Sequence, residues 1–251
     1  MTEKSEQPEK SEQPEQNAPL PPITDRQSWQ ARLDELAVRE KAHTREGDKL
    51  AAERRRLPMV EVDASVTVVG QKGAVPLLDV FEGRRMLTVY YAMWHDDRSS
   101  KDQCEGCTFF TAEVRELSYL HSRDVSYAIF SQGPYEQSRA YHDFLGWDVP
   151  WYSARDSAEQ LLAGRFFGMR VSYLRRGDQV FETYWTTGRG VERAAPSYAI
   201  LDETAYGRQE TWEDSPEGWP RGFGVTGEQF RVEGRPTAQW VQLGAGKKDP
   251  F

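Results

Sequence analysis

The chain has 251 residues, 38% of them hydrophobic, with 32 basic and 40 acidic side chains for a formal charge of −8. That length fits one sizeable domain with appendages, and the acidic balance argues against binding nucleic acid through its phosphates or docking on an anionic membrane. The longest apolar stretch, Met86 to Trp94, is strand-sized and far short of a bilayer span.

The N-terminus has neither the basic start nor the apolar centre of a signal peptide, so a cytoplasmic protein is expected. Residues 1–22 read as a disordered tail: Glu-Lys-Ser-Glu-Gln-Pro occurs twice, from Glu3 and from Glu9, and no aromatic precedes Trp29. Such a stretch buries too little apolar surface to offset its ordering entropy. Residues 23–57 read as a helical arm. Thr24-Asp25 offers an N-cap, Trp29, Leu33 and Leu36 follow at helical spacing, and Pro58 stops the pattern. Whether Gly47 divides the arm into two helices is left open by the pattern. Dense charge around the apolar positions marks the arm as a surface for its own chain or a second subunit, which raises a homodimer.

From Met59 the period changes. Val60, Val62, Val66, Val68 and Val69 are strand-forming, Gly70 to Gly73 turns the chain, and Leu77 to Phe81 is a short helix or turn. Met86 to Trp94 is a near-continuous apolar run, as a strand covered on both faces requires. A polar loop, His95 to Gln103, leads to Cys104-Glu-Gly-Cys107, and Phe109, Phe110, Val114, Leu117 and Leu120 then mark a helix. Val125 to Ser131 is a strand, Tyr135 to Leu145 a helix closed by Gly146, Asp148 to Ser153 extended, and Ala158 to Phe167 helical. Val171 to Leu174 and Val180 to Trp185 flank Arg175-Arg-Gly-Asp178 as a hairpin. The order predicts an α/β domain over 58–190, a mixed sheet with helices on both faces, followed by a largely irregular extension over 191–251.

Cys104 and Cys107 carry the chemical signal. Two cysteines placed at random would fall at this separation roughly one time in a hundred. The pair also follows a buried strand and opens a helix, where free backbone N–H groups and the helix dipole stabilise a thiolate. The thiolate is the nucleophile of disulfide exchange, so Cys104 would attack and Cys107 resolve. The rivals are two inert core cysteines, or a copper or zinc site formed by Cys104, Cys107 and His95. His43, His95, His121 and His142 show no ligand spacing, and His121 and His142 are expected at helix surfaces, facing solvent or capping.

Further motifs are weaker. Trp147 to Tyr152 and Tyr184-Trp185 are expected as core before pocket, and Asp96-Asp97 as solvated carboxylates. Gly188-Arg189-Gly190 reads first as a tight turn and second as an anion fork. There is no GxGxxG, P-loop, nucleophile-elbow or HExxH motif.

Several stretches carry a family resemblance: Arg54-Arg-Arg-Leu-Pro-Met-Val60, the Cys-Glu-Gly-Cys pair, Gly146-Trp-Asp-Val-Pro-Trp-Tyr-Ser153, Gly188-Arg-Gly-Val-Glu-Arg193 and Leu201-Asp-Glu-Thr-Ala-Tyr-Gly-Arg-Gln-Glu210. Together they resemble the bacterial thioredoxin-like family known as domain of unknown function 899, from about Trp29 to about Trp219. The resemblance implies a thioredoxin-like fold with an added N-terminal helix and a dithiol-disulfide oxidoreductase label, with no established reaction. Thioredoxins carry Trp before the first cysteine, Gly-Pro between the pair and a cis-proline beside it. Here those places read Gln103, Glu105-Gly106 and Gly168-Met-Arg-Val171. The expected substrate is therefore a narrow one or a small molecule, with an unidentified reductant to recycle the pair and no bound cofactor. A non-catalytic interaction module is the further alternative. Glu105 beside the thiol opposes thiolate formation, which predicts a Cys104 less acidic than in strongly oxidising relatives and a protein acting as reductant.

Overall fold

The computed structural model describes residues 19–223 and 229–251. The expected tail therefore lies mostly outside the described residues. Helix α1 (Arg26–Arg54) is a single helix that runs through Gly47. Its N-cap is Asp25, whose Oδ1 accepts from the Ser28 N–H at 2.9 Å. No residue of α1 is buried. Among the described residues no helix is long and apolar enough to cross a membrane.

After α1 come β1 (Val60–Val62), β2 (Thr67–Gly70), β3 (Gly73–Pro76), α2 (Leu77–Val80) and β4 (Met86–Ala92). Then follow α3 (Glu105–Ala112), α4 (Ser118–His121), β5 (Val125–Ser131), α5 (Tyr135–Leu145), β6 (Trp151–Ser153) and α6 (Ala158–Leu162). The hairpin β7 (Met169–Arg176) and β8 (Gln179–Thr187) completes an eight-stranded sheet in the order β1-β8-β7-β4-β5-β6-β2-β3. Strand β4 pairs parallel with β5 and antiparallel with β7, so the strand read as central is central.

Alternation along the inner strands builds two apolar layers. Leu87, Val89 and Tyr91 join Ala128 and Phe130 on one face, whereas Tyr90 and Ala92 join Tyr127 and Ile129 on the other. The second layer continues into Cys107, Trp94, Tyr141, Trp147 and Trp151, so the dithiol helix closes that face. The extension carries only short elements: α7 (Pro196–Asp202), the ribbon β9 (Arg231–Val232) with β10 (Arg235–Pro236), and α8 (Thr237–Gly244).

Two predicted helices come out differently. The pattern from Phe109 to Leu120 divides into α3 and α4, because Glu113 turns away to accept from the Ser197 backbone N–H at 3.0 Å and its hydroxyl at 2.8 Å. Glu116 then restarts the chain by accepting from the Ser118 N–H at 2.7 Å. The pattern from Ala158 to Phe167 stops at Leu162, where Ala163 (φ 48) and Gly164 (φ 80) reverse the chain and send Arg165 to Glu182. His142 is also corrected: it is buried, with Nε2 donating to the Val149 carbonyl at 3.0 Å and Nδ1 2.9 Å from Asp143. Its face of α5 packs on Trp147 and Trp151, which helical spacing alone did not reveal.

Candidate functional site

The dithiol sits where β4 hands over to α3. Between them the loop is held by Gln103, whose side chain is buried. Its Oε1 accepts from the His95 N–H at 3.0 Å, and its Nε2 donates to the carbonyls of His95 at 2.9 Å and Arg98 at 3.1 Å. A buried amide with each bond made fixes the loop's conformation. Cys104 is the N-cap of α3, and its sulfur accepts from the Cys107 N–H at 3.4 Å. A sulfur thus takes the place usually held by a capping hydroxyl or carboxylate.

The two sulfurs are inequivalent. Cys104 is half-buried and Cys107 is buried. The Cys107 thiol hydrogen-bonds to the Cys104 sulfur, and with the N–H groups of Cys107 and Gly106 it brings the Cys104 pKa down to about 7, against the opposing effects of burial and Glu105. The same bond, together with burial, pushes Cys107 well up. Cys107 in turn accepts from the Met93 N–H at 3.3 Å and the Tyr90 hydroxyl at 3.4 Å, which temper that rise. The surroundings of the pair therefore favour loss of a proton from Cys104 before Cys107.

The extension completes the site. Arg231 Nε lies 2.8 Å from Glu105 Oε2, and its Nη groups donate to the carbonyls of Gln103 at 2.8 Å and Lys101 at 2.7 Å. Gln239 Nε2 donates to the Ser100 carbonyl at 2.7 Å and the Tyr141 hydroxyl at 2.8 Å. Tyr141 lies 3.0 Å from the Thr108 hydroxyl, which itself donates to the Cys104 carbonyl at 2.9 Å. Arg231, Gln239, Tyr90 and Gln103 are the supporting contacts around the pair that sequence reasoning missed. The strand pattern located Tyr90 only as core, and nothing periodic marked Arg231.

A narrow cavity of about 10 Å³, room for one water-sized group, lies beside the pair. Trp94 and Thr111 line it, and among the described residues Trp94 Nε1 and Thr111 Oγ1 have no hydrogen-bond partner. A larger cleft of about 630 Å³ adjoins it through Met93 and Trp94, and is walled by His95, Arg155, Phe166 and Phe167.

The structure does not assemble the copper or zinc set. Among the described residues no three His, Cys, Asp or Glu side chains are grouped to hold a metal ion, and His95 lines the larger cleft apart from the two cysteines. Trp147 and Trp151 are buried core, stacked at 5.7 Å. Arg189 is engaged by Glu192 at 3.3 Å and by the Trp212 ring at 4.0 Å, and Asp96 pairs with Arg155 at 2.7 Å.

The consecutive order β5-β4-β7-β8, with parallel β4 and β5, an antiparallel hairpin, and a Cys-x-x-Cys pair opening the helix after β4, defines a thioredoxin-like protein. The chain belongs to the family described as bacterial protein of unknown function (DUF899), whose model matches residues 18–223. Arg231 and Gln239 lie beyond the matched residues. No curated protein matches the chain. Among solved structures it is similar to a cysteine-to-serine mutant of Xanthomonas campestris peroxiredoxin Q, at 14% identity and a TM-score of 0.39, over 57% of this chain and 96% of that one. It is also similar to BsSco, a member of the Sco family of cytochrome c oxidase assembly proteins, at 12% identity and a TM-score of 0.35, over 56% and 96%. Likeness at this level says nothing of activity.

Proposed function

We propose that the chain is a thiol-disulfide oxidoreductase in which Cys104 attacks and Cys107 resolves. The observation that carries this reading is the placing of two sulfurs one helical turn apart, Cys104 half-buried at the N-cap of α3 and accepting from the Cys107 N–H at 3.4 Å, Cys107 buried behind it, which lowers the pKa of the first and raises that of the second. The Cys104 thiolate attacks one sulfur of a substrate disulfide, forming a mixed disulfide and releasing a thiolate. That thiolate takes the Cys107 proton, and the Cys107 sulfur attacks Cys104 to release the second sulfur as a thiolate, which solvent protonates. The dithiol gives up two electrons and becomes the Cys104–Cys107 disulfide, which an external dithiol reduces again. No resident cofactor enters these steps.

The substrate class is a small-molecule or otherwise narrow disulfide. Cys104 is half-buried beside a cavity of only about 10 Å³, which leaves little room for a protein chain. The turn before β7 is built on Gly168 (φ 91), and no peptide among the described residues is cis, so the edge that thioredoxins use to pair with a substrate chain is differently shaped. A reductant of this kind works in a reducing compartment, which keeps the cytoplasm as the proposed location.

The test is stoichiometric reduction of a small disulfide, such as oxidised glutathione, by the pre-reduced protein. Cys104→Ser should abolish it, and Cys107→Ser should accumulate a mixed disulfide at Cys104 detectable by mass. Reduction that survives Cys104→Ser, or a Cys107→Ser protein that never traps substrate, contradicts the assignment.

A further inference from the structure

Helix α1 spans Arg26–Arg54, roughly 43 Å of helix, with no side chain buried. Its last turn meets the body of the chain, where Arg54 lies over the Tyr184 ring at 5.5 Å, but a helix so little buried among the described residues is marginal in water. Its exposed large apolar residues are Trp29, Leu33, Leu36, Val38 and Leu50, and all but Val38 belong to one series alternating steps of four and three, the spacing of a coiled-coil seam, which continues through Glu40, His43, Gly47 and Arg54.

The residues flanking that seam on one side are Arg32, Arg39, Glu46 and Glu53: basic in the first half of the helix and acidic in the second. On the other side stand Gln30, Ala37, Thr44 and Ala51, which are uncharged. Two parallel copies would set each charged position against one of these uncharged ones, and no ion pair would form. Two antiparallel copies set like flanks together, so Arg39 of one copy faces Glu46 of the other and Arg32 faces Glu53. The same register fills the seam consistently. Leu33 meets Leu50, Leu36 meets Gly47, Trp29 meets Arg54, and at the centre Glu40 meets His43. Each layer occurs twice about the two-fold axis, and none sets like charges together.

We infer that α1 forms an antiparallel coiled coil with α1 of a second copy, making the protein a homodimer whose register is set by the Arg32–Glu53 and Arg39–Glu46 pairs. The arrangement draws on nothing at the dithiol and stands apart from the redox reading. Glu46 also pairs with Lys49 on its own helix at 3.1 Å, in an exposed bridge that leaves it free to exchange partners.

Sedimentation equilibrium of the full chain tests this directly. The expected particle has twice the 28.8 kDa chain mass and dissociates more readily as salt is raised. Arg39→Glu alone, and Glu46→Arg alone, should each weaken association roughly threefold to thirtyfold by turning two attractive pairs into repulsive ones. The combined R39E/E46R chain should recover most of the wild-type affinity. Positions 39 and 46 are too far apart on one helix to pair with each other, so recovery can only come from the second copy. For orientation, Leu33→Cys chains mixed with Leu50→Cys chains, both lacking Cys104 and Cys107 by substitution to Ser, should form a mixed disulfide dimer. A chain that stays monomeric at its highest soluble concentration overturns the inference. So do single variants that associate like wild type, a double variant as weak as either single, or cross-links that form only between identical chains.

Discussion

Arg231 lies 2.8 Å from Glu105, the residue next to Cys104, so a cation from the C-terminal ribbon answers a carboxylate that opposes ionisation of the Cys104 thiol. The pair is largely buried, at 17% and 11% side-chain exposure, and solvent screens it little. Removing the guanidinium takes one positive charge from beside Glu105 and strengthens the carboxylate's effect on the sulfur. Arg231→Gln should therefore raise the Cys104 pKa above about 7, whereas Glu105→Gln should lower it, both read from thiolate ultraviolet absorbance against pH. Arg231→Gln should also cost about 2–3 kcal/mol of stability in denaturant unfolding, since it strips buried partners from Glu105 and two loop carbonyls.

Tyr90 donates its hydroxyl to Cys107 at 3.4 Å and so favours the charged form of the resolving sulfur. Tyr90→Phe keeps the ring and loses that bond, worth about 1 kcal/mol. The resolving step should slow roughly fivefold, with attack by Cys104 nearly unchanged. Stopped-flow separation of mixed-disulfide formation and decay would read both. Equal slowing of both steps would assign Tyr90 to packing alone.

Gly133 lies against the Trp94 indole so closely that a Cβ there would overlap the ring. Trp94 walls the cavity beside the dithiol and packs against the Phe251 and Tyr141 rings, 5.5 and 5.9 Å away. Gly133→Ala should cost about 1–3 kcal/mol by overpacking and slow reaction with small disulfides, because the displaced ring narrows the approach. Urea unfolding and single-turnover rates would measure the two effects.

Much of the fold was legible because its signals are local. Met86 to Trp94 announced a strand covered on both faces, Gly146 closed α5 with the positive φ (66) that favours glycine, and the hairpin stood at Arg175 to Asp178. The cysteine pair was legible because a spacing, a strand end and a helix start coincide. What stayed hidden depends on contacts between residues far apart in the chain. Glu105 read as an uncompensated charge because its partner stands 126 positions later in a segment without periodicity. His142 read as a surface residue because only the folded turn at Val149 supplies the carbonyl that lets it be buried. Glu113 broke a helix that the apolar spacing continued, by bonding to Ser197.

The proposed chemistry requires one sulfur to be charged near neutrality while its neighbour is not. Alkylation of the fully reduced protein, followed against pH with the modified cysteine identified by mass, measures that directly. Modification should fall on Cys104, with a rate that rises through a single inflection near 7 and levels off, and Cys107 should stay unmodified well beyond it. A rate that climbs only around the ordinary thiol value of about 8.5, or modification that falls first on Cys107, would contradict the assignment.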